Sequence, residues 1–191
     1  MQPFLKWAGG KRWLTNQLAE IAPRQFDRYI EPFLGSAANF FHIEPETAIL
    51  SDSNNALIEV YCQIRDDPDG VERMLQNYQL KHCDEFYYEV RDQKLYDPTA
   101  RAAQFIYLNR TCWNGLYRVN LAGKFNVPRG TKNKIIYPEE DFGKISNLLQ
   151  QAEIRACDFE ETMSQARYGD LIYGHLEQWR IRAEVAIWFP H

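Results

Sequence analysis

Apolar positions follow two rhythms along this chain. Helical spacing places Leu14, Leu18 and Ile21 on one face after the pair Gly9-Gly10, and Leu57, Ile58, Tyr61 and Ile64 on one face of residues 54–66. Between these lie two short, nearly continuous apolar runs, Tyr29 to Phe33 and Ala48 to Asp52, the pattern of strands buried on both faces. The first runs into the turn Leu34-Gly35-Ser36, where Ser36 is placed to cap the helix that opens at Ala37. Residues 68–109 read as three further helices, the last starting at Pro98. The periodicity then breaks. Asn114-Gly115 and Ala122-Gly123 separate short aromatic and β-branched runs, which predicts a hairpin. A helix after Pro138, a strand over 152–159, a helical 161–166 and a strand over 170–173 follow. The pattern predicts an α/β protein with a parallel sheet, interrupted by a helix-and-hairpin insertion over residues 57–137.

Charge sharpens that division. The 191-residue chain has a net charge of −4, which by itself does not point to a polyanionic partner. From Arg101 to Lys134, however, there are seven basic residues and no acid, while the remainder carries −11. Phe105, Tyr107, Trp113, Tyr117 and Phe125 interleave with those cations, the combination that phosphate contact and base stacking require. Four cysteines without CxxC spacing (Cys62, Cys83, Cys112, Cys157) argue for reduced, buried thiols rather than a zinc site or a disulfide framework. No run reaches the roughly 18 apolar residues of a membrane span. The first residues lack the apolar core of a signal peptide, so a cytoplasmic setting is expected.

The unit strand–glycine turn–helix–strand–acid, with about 20 residues from Gly35 to Asp52, is the arrangement in which a turn meets a nucleotide and a carboxylate takes its ribose. Five ordered segments carry a closer likeness: FLKWAGGK (4–11), EPFLGSAANFF (31–41), SDSNNALIEVY (51–61), YLNRTCWNGLYRVNLAGKFNVPRG (107–130) and CDFEETM (157–163). Together they resemble the Dam-type, D12-class DNA adenine-N6 methyltransferases of the α-group. The resemblance implies a Rossmann-like sheet that binds S-adenosylmethionine, formed by residues 1–56 and 138–191, with 57–137 as the DNA target-recognition insertion. It implies cofactor contacts from Trp7, Lys11, Gly35, Asp52, Asp158 and Phe159. The family's second turn glycine is Ala37 here, which keeps the turn feasible if its φ is negative. It further implies DNA contacts from Asn109, Arg110, Trp113, Asn114 and Arg118, with Lys124 added from the basic segment. In the implied reaction the methyl passes to the N6 amine of an adenine flipped out of duplex DNA, without a metal, in a prokaryotic or phage setting with restriction-modification links.

The likeness stops at Tyr173. In the family, an Asp/Asn-Pro-Pro-Tyr/Phe motif follows the strand, and its acid or amide and first proline carbonyl accept the hydrogens of the adenine amine. Here GDLIY is followed by Gly174, then His175 in the acid's slot, with Leu176, Glu177 and Gln178 in place of the rest. A neutral imidazole offers a single acceptor and no proline fixes the backbone. A coding sequence frameshifted or ended early after Tyr173 accounts for this most simply. Two functions follow: an adenine methyltransferase by descent, or a remnant that binds DNA and cofactor without turnover. A small-molecule methyltransferase has no use for the basic hairpin segment.

Overall fold

The computed structural model describes residues 1–7, 23, 25–175 and 184–188. Lys11 and the helix expected over 11–22 lie outside them. The chain divides into two compact units: residues 1–3, 11–58 and 148–191 form the first, residues 4–10 and 59–147 the second.

The first unit is a sheet with strand order β3-β2-β1-β4-β5. β1 (Arg28–Glu31), β2 (Ala48–Asp52), β3 (Ala152–Ala156) and β4 (Asp170–His175) are mutually parallel, and β5 (Glu184–Trp188) pairs antiparallel with β4. The α/β class predicted from the hydrophobic pattern is the one found. β1 stops at Glu31, short of the predicted Phe33, because Pro32 has no N–H to give a ladder. Ile30, Ile49 and Ile172 stack across the three central strands, with Met163 and Ala166 packed over them. Arg28 and Asp170 close the amino-terminal ends of β1 and β4 by a two-pronged contact, Nε to Oδ1 at 2.9 Å and Nη2 to Oδ2 at 2.7 Å. The helices of this unit are α1 (Ala38–Ile43) and α7 (Phe159–Met163). The threonine of α7, Thr162, is tied to Ser51 of β2 by a 2.6 Å hydroxyl–hydroxyl bond.

α2 (Asn55–Asp66) leads into the second unit, where α3 (Pro68–Lys81), α4 (Asp84–Asp92) and α5 (Pro98–Thr111) pack together. Asp67 and Asp97 cap α3 and α5 by accepting from Gly70 N–H and Ala100 N–H, each just ahead of a proline that needs no partner. α5 is the central helix: every residue from Phe105 to Thr111 is buried, so it has no solvent-facing stripe. At its end, Trp113–Gly115 forms a single 3₁₀ turn, with Asn114 at φ 55° and Gly115 at φ 66°. The hairpin then runs from Leu116 to Gly130, closed at Asn120–Gly123 and held by the Val119–Phe125 and Cys112–Arg129 bridges. Of the two sequence turn signals, Ala122-Gly123 is therefore the hairpin tip and Asn114-Gly115 the exit from α5. Gly130 is required by space: a Cβ there would lie 2.6 Å from the Cys112 carbonyl oxygen. α6 (Phe142–Leu149) returns the chain to the sheet.

Three expectations are corrected. Ser36 does not cap α1; the cap position is Ala37, which offers no side-chain bond. Ala37 is also left-handed, at φ 54°, rather than negative, a conformation that costs a non-glycine residue about 1 kcal/mol. Of the four thiols expected to be buried only Cys112 is; Cys62 and Cys157 are half-buried and Cys83 is exposed, with its Sγ accepting from Phe86 N–H at the start of α4.

Candidate cofactor and nucleic-acid sites

In the first unit, the carboxyl ends of the parallel strands gather the residues expected to hold a nucleotide. The Asp52 carboxylate, at the end of β2, takes the Gly35 N–H on Oδ2 at 3.2 Å and the Asn54 N–H on Oδ1 at 2.9 Å. Each of its oxygens keeps a second lone pair for a ligand hydroxyl. Gly35 is left-handed at φ 49°, so the turn brackets itself with two left-handed residues, Gly35 and Ala37. Phe159, the first residue of α7, lies against Phe33 with ring centroids 5.3 Å apart. Phe33 sits inside EPFLGSAANFF, where its residue type alone points to no role. A Cβ on Gly174, just past Tyr173, would be in ordinary contact with both Pro32 and Phe33. Asp158 caps α7 by accepting from Glu160 N–H at 3.0 Å, which gives this carboxylate a structural duty of its own.

Behind the turn lies a carboxyl that the sequence did not single out. Glu31, the last residue of β1, is 3 % exposed and takes the Tyr29 hydroxyl at 3.0 Å. Burial, opposed by the bonds from Tyr29 and from Phe40 N–H and reinforced by Asp52, pushes its carboxyl up to about 8. The Phe40 N–H is one of the amides at the start of α1 that the uncapped Ala37 leaves without a side-chain partner. Between the ordinary carboxylate range and pH 8 the folded state holds a proton that the unfolded chain has released. Stability therefore falls as pH rises through that window. The Glu31→Gln variant, which cannot titrate, is expected to gain in melting temperature relative to the parent as pH goes from 5 to 8.5. A constant difference across that range would show that Glu31 does not titrate there.

The second unit carries the residues expected to meet DNA, and it divides them. Trp113 is 53 % exposed, Asn114 sits beside it in the 3₁₀ turn, and Arg118 and Lys124 are exposed on the hairpin. Arg118 Nε donates to Asn126 Oδ1 across the hairpin at 2.8 Å, which fixes the plane of its guanidinium. Asn109 and Arg110 lie instead on buried α5, each 1 % exposed. Asn109 clasps the N-terminal segment, accepting from Lys6 N–H at 2.9 Å and donating to Lys6 C=O at 2.7 Å. Arg110 donates to the carbonyls of Ile135 and Phe4 and to Glu140, and lies over the Tyr137 ring. Both side chains are committed inside the unit.

The acid-free basic segment is also less naked than its sequence suggests. Arg101 pairs with Glu59, Arg110 with Glu140, Lys124 with Asp92 and Arg129 with Asp84, so acids from outside the segment meet four of its seven cations. The Lys124 pair, at 3.4 Å and half exposed on both sides, is a weak one that a phosphate can displace. Among the described residues, Arg118, Lys132 and Lys134 form no ion pair, and Lys6 joins them. Burial and the neighbouring Lys132 push the Lys6 ammonium down to about 8. The Lys6 stem runs along Gly115, where a Cβ would lie 2.7 Å from its Cδ. Lys6 stands within FLKWAGGK, but only the fold brings it to the start of the hairpin. Trp7 follows it and stacks on Tyr117 and Phe105.

A parallel sheet with a glycine turn, a ribose-type acid and an aromatic pair at its carboxyl edge is the framework of Rossmann-like methyltransferases. The sequence profile of the D12 class N6 adenine-specific DNA methyltransferases matches residues 7–174, and the chain belongs to that family. It is 36 % identical over 182 residues to a type II methyltransferase of Lactococcus lactis subsp. cremoris, covering 91 % of this chain and 64 % of the relative. It is 39 % identical over 182 residues to a type II methyltransferase of Methanocaldococcus jannaschii, covering 84 % and 63 % respectively. To the DNA adenine methylase of Escherichia coli K12 it is 33 % identical over 174 residues, covering 89 % and 62 %. The chain thus spans a little under two thirds of the length of these relatives.

Proposed function

We propose that this chain binds S-adenosylmethionine and duplex DNA as a site-specific adenine-N6 methyltransferase of its family does, and that methyl transfer by the chain itself is slow or absent. The observation that carries the binding half is the Asp52–Gly35 turn with the Phe33–Phe159 pair in a chain of this family. Asp52 is suited to the ribose hydroxyls and the two phenylalanines to the face of a purine; Trp7 and Lys11 are expected to add contacts to the sulfonium and the carboxylate. The donor would supply an electrophilic methyl group on its sulfonium. Trp113, Asn114, Arg118 and Lys124 are the DNA-facing set, with Lys6 added. Asn109 and Arg110 act through the shape of the unit rather than by touching the duplex. A wedge at Trp113 would fill the stack vacated by a flipped adenine, and Arg118 is suited to a two-pronged contact with a guanine edge.

The transfer half rests on His175. The adenine amine is a poor nucleophile because its lone pair is delocalised, and the family's tetrapeptide accepts its hydrogens. His175 to Gln178 carry neither the acid or amide nor the prolines of that motif. Among the described residues no helix is long and apolar enough to cross a membrane, and the named relatives are bacterial or archaeal; we place the protein in the cytoplasm with its DNA. Labelled donor and duplex, incubated with the chain and assayed both for retention and for label on adenine, test both halves at once.

A further inference from the structure

We propose that Leu121, at the tip of the hairpin, selects a thymine by packing on its C5-methyl group in the major groove. The inference rests on the DNA-binding reading above and goes beyond it by naming a base and the side chain that selects it. Among the described residues Leu121 is the most exposed large apolar side chain, at 110 % relative exposure, so it packs on nothing in its own unit. The tip around it is equally clear: a Cβ built on Gly123 would meet no atom within 4 Å. Leu116 and Val119, on the limb that leads to the tip, are exposed as well.

A single exposed leucine is ordinary on a protein surface; what distinguishes this one is how it is held and what surrounds it. Four hydrogen bonds close the turn beneath it. Asn120 N–H donates to the Lys124 carbonyl and Gly123 N–H to the Asn120 carbonyl, both at 2.9 Å. Asn120 Oδ1 accepts from Ala122 N–H and from Lys124 N–H, each at 3.0 Å. Gly123, at φ 73°, supplies the left-handed residue that lets the turn close. The leucine is therefore presented on a fixed backbone. Arg118 and Lys124 flank it, each three residues away, and no acid occurs between Arg101 and Lys134. That setting suits a polyanion rather than the apolar face of a second protein. The major groove of B-DNA, about 12 Å wide, admits a two-stranded ribbon, and its base edges offer donors and acceptors with one apolar exception, the thymine methyl. A side chain without polar atoms can match only that exception; over any other base edge it leaves a donor or acceptor unpaired. Arg118 and Leu121 thus read different bases by different chemistry.

The test uses the full chain and a duplex that the chain itself selects, with deoxyuridine replacing each thymidine in turn. Uracil pairs as thymine does and lacks only the methyl group. At one position the wild type is expected to lose affinity about 4-fold, the worth of one buried carbon. Leu121→Ala is expected to bind the thymine and uracil duplexes equally at that position, with the wild-type melting temperature, because the side chain it removes is exposed. Leu121→Met, which keeps an apolar reach, should retain the discrimination. A leucine that served only the shape of the hairpin would leave the thymine-to-uracil ratio of Leu121→Ala at the wild-type value. If the wild type retains no duplex, the functional reading fails and this inference with it. If it binds the duplex and no uracil position weakens it, or the weakening persists unchanged in Leu121→Ala, the inference alone is overturned. Self-association of the chain that Leu121→Ala abolishes, with thymine and uracil bound alike by the wild type, would overturn it in favour of a protein contact.

Discussion

Arg110→Ala is expected to unfold the second unit or to destabilise it by about 3–5 kcal/mol, the usual result of removing one partner from a buried ion pair. Arg110 is among the largest fully buried side chains of the protein. Its loss strips a partner from Glu140, a carboxyl that burial already pushes upward despite Arg110, and removes the guanidinium bonds to the carbonyls of Ile135 and Phe4. Phe4 in turn packs edge-on against Tyr61 and Phe142, so the defect spreads into the joint between the N-terminal segment, α2 and α6. Arg110→Lys rescues poorly on this account, because one ammonium cannot reach three acceptors in the geometry of a guanidinium fork. Thermal or urea unfolding of the two variants checks this. A well-folded Arg110→Ala protein that has lost only DNA affinity would reverse the assignment and return Arg110 to the DNA-facing set.

Arg118→Ala should behave in the opposite way. Its side chain is exposed and its one hydrogen bond among the described residues is to Asn126, so removing it is expected to change stability by no more than about 0.5 kcal/mol. Affinity for a selected duplex should fall about 10- to 100-fold, the worth of one two-pronged base contact, with discrimination relaxed at a single base pair. Filter binding against a panel of single-base variants reads both quantities. A uniform weakening across the panel would make Arg118 a phosphate contact; no change at all would take the hairpin out of recognition.

The contrast between these two arginines shows what was legible in the sequence. Both stand in the acid-free basic stretch from Arg101 to Lys134, and both match the same family segment. What separates them is that α5 is buried on all sides from Phe105 to Thr111, and its sequence, with little amphipathic pattern, gives no face to read. The same holds for charge. Glu59, Asp84, Asp92 and Glu140 lie outside the acid-free segment, and pairing them with its cations requires the packing of α2, α4 and the loop before α6. By contrast, the central strands β1, β2 and β4 announce themselves, because strands covered on both faces are written as short apolar runs. Asp52 and Gly35 meet, as their spacing suggests, since consecutive parallel strands bring their carboxyl ends to one edge. Glu31 gives no comparable signal, because only its burial and the bonds from Tyr29 and Phe40 mark it as an anchor of the turn. The left-handed Ala37 is a backbone property, invisible in a residue that prefers the opposite sign of φ.

The central claim is that the chain holds the donor and the duplex but lacks the groups that activate the adenine amine. The most direct measurement is one incubation of the purified chain with tritiated S-adenosylmethionine and a duplex selected by the chain itself, followed by recovery of both protein-bound ligands and DNA adenine. The account predicts that donor and duplex are retained together, with label on adenine no higher than for a His175→Ala control. Label accumulating through many turnovers above that control, or retention of neither ligand, would contradict it.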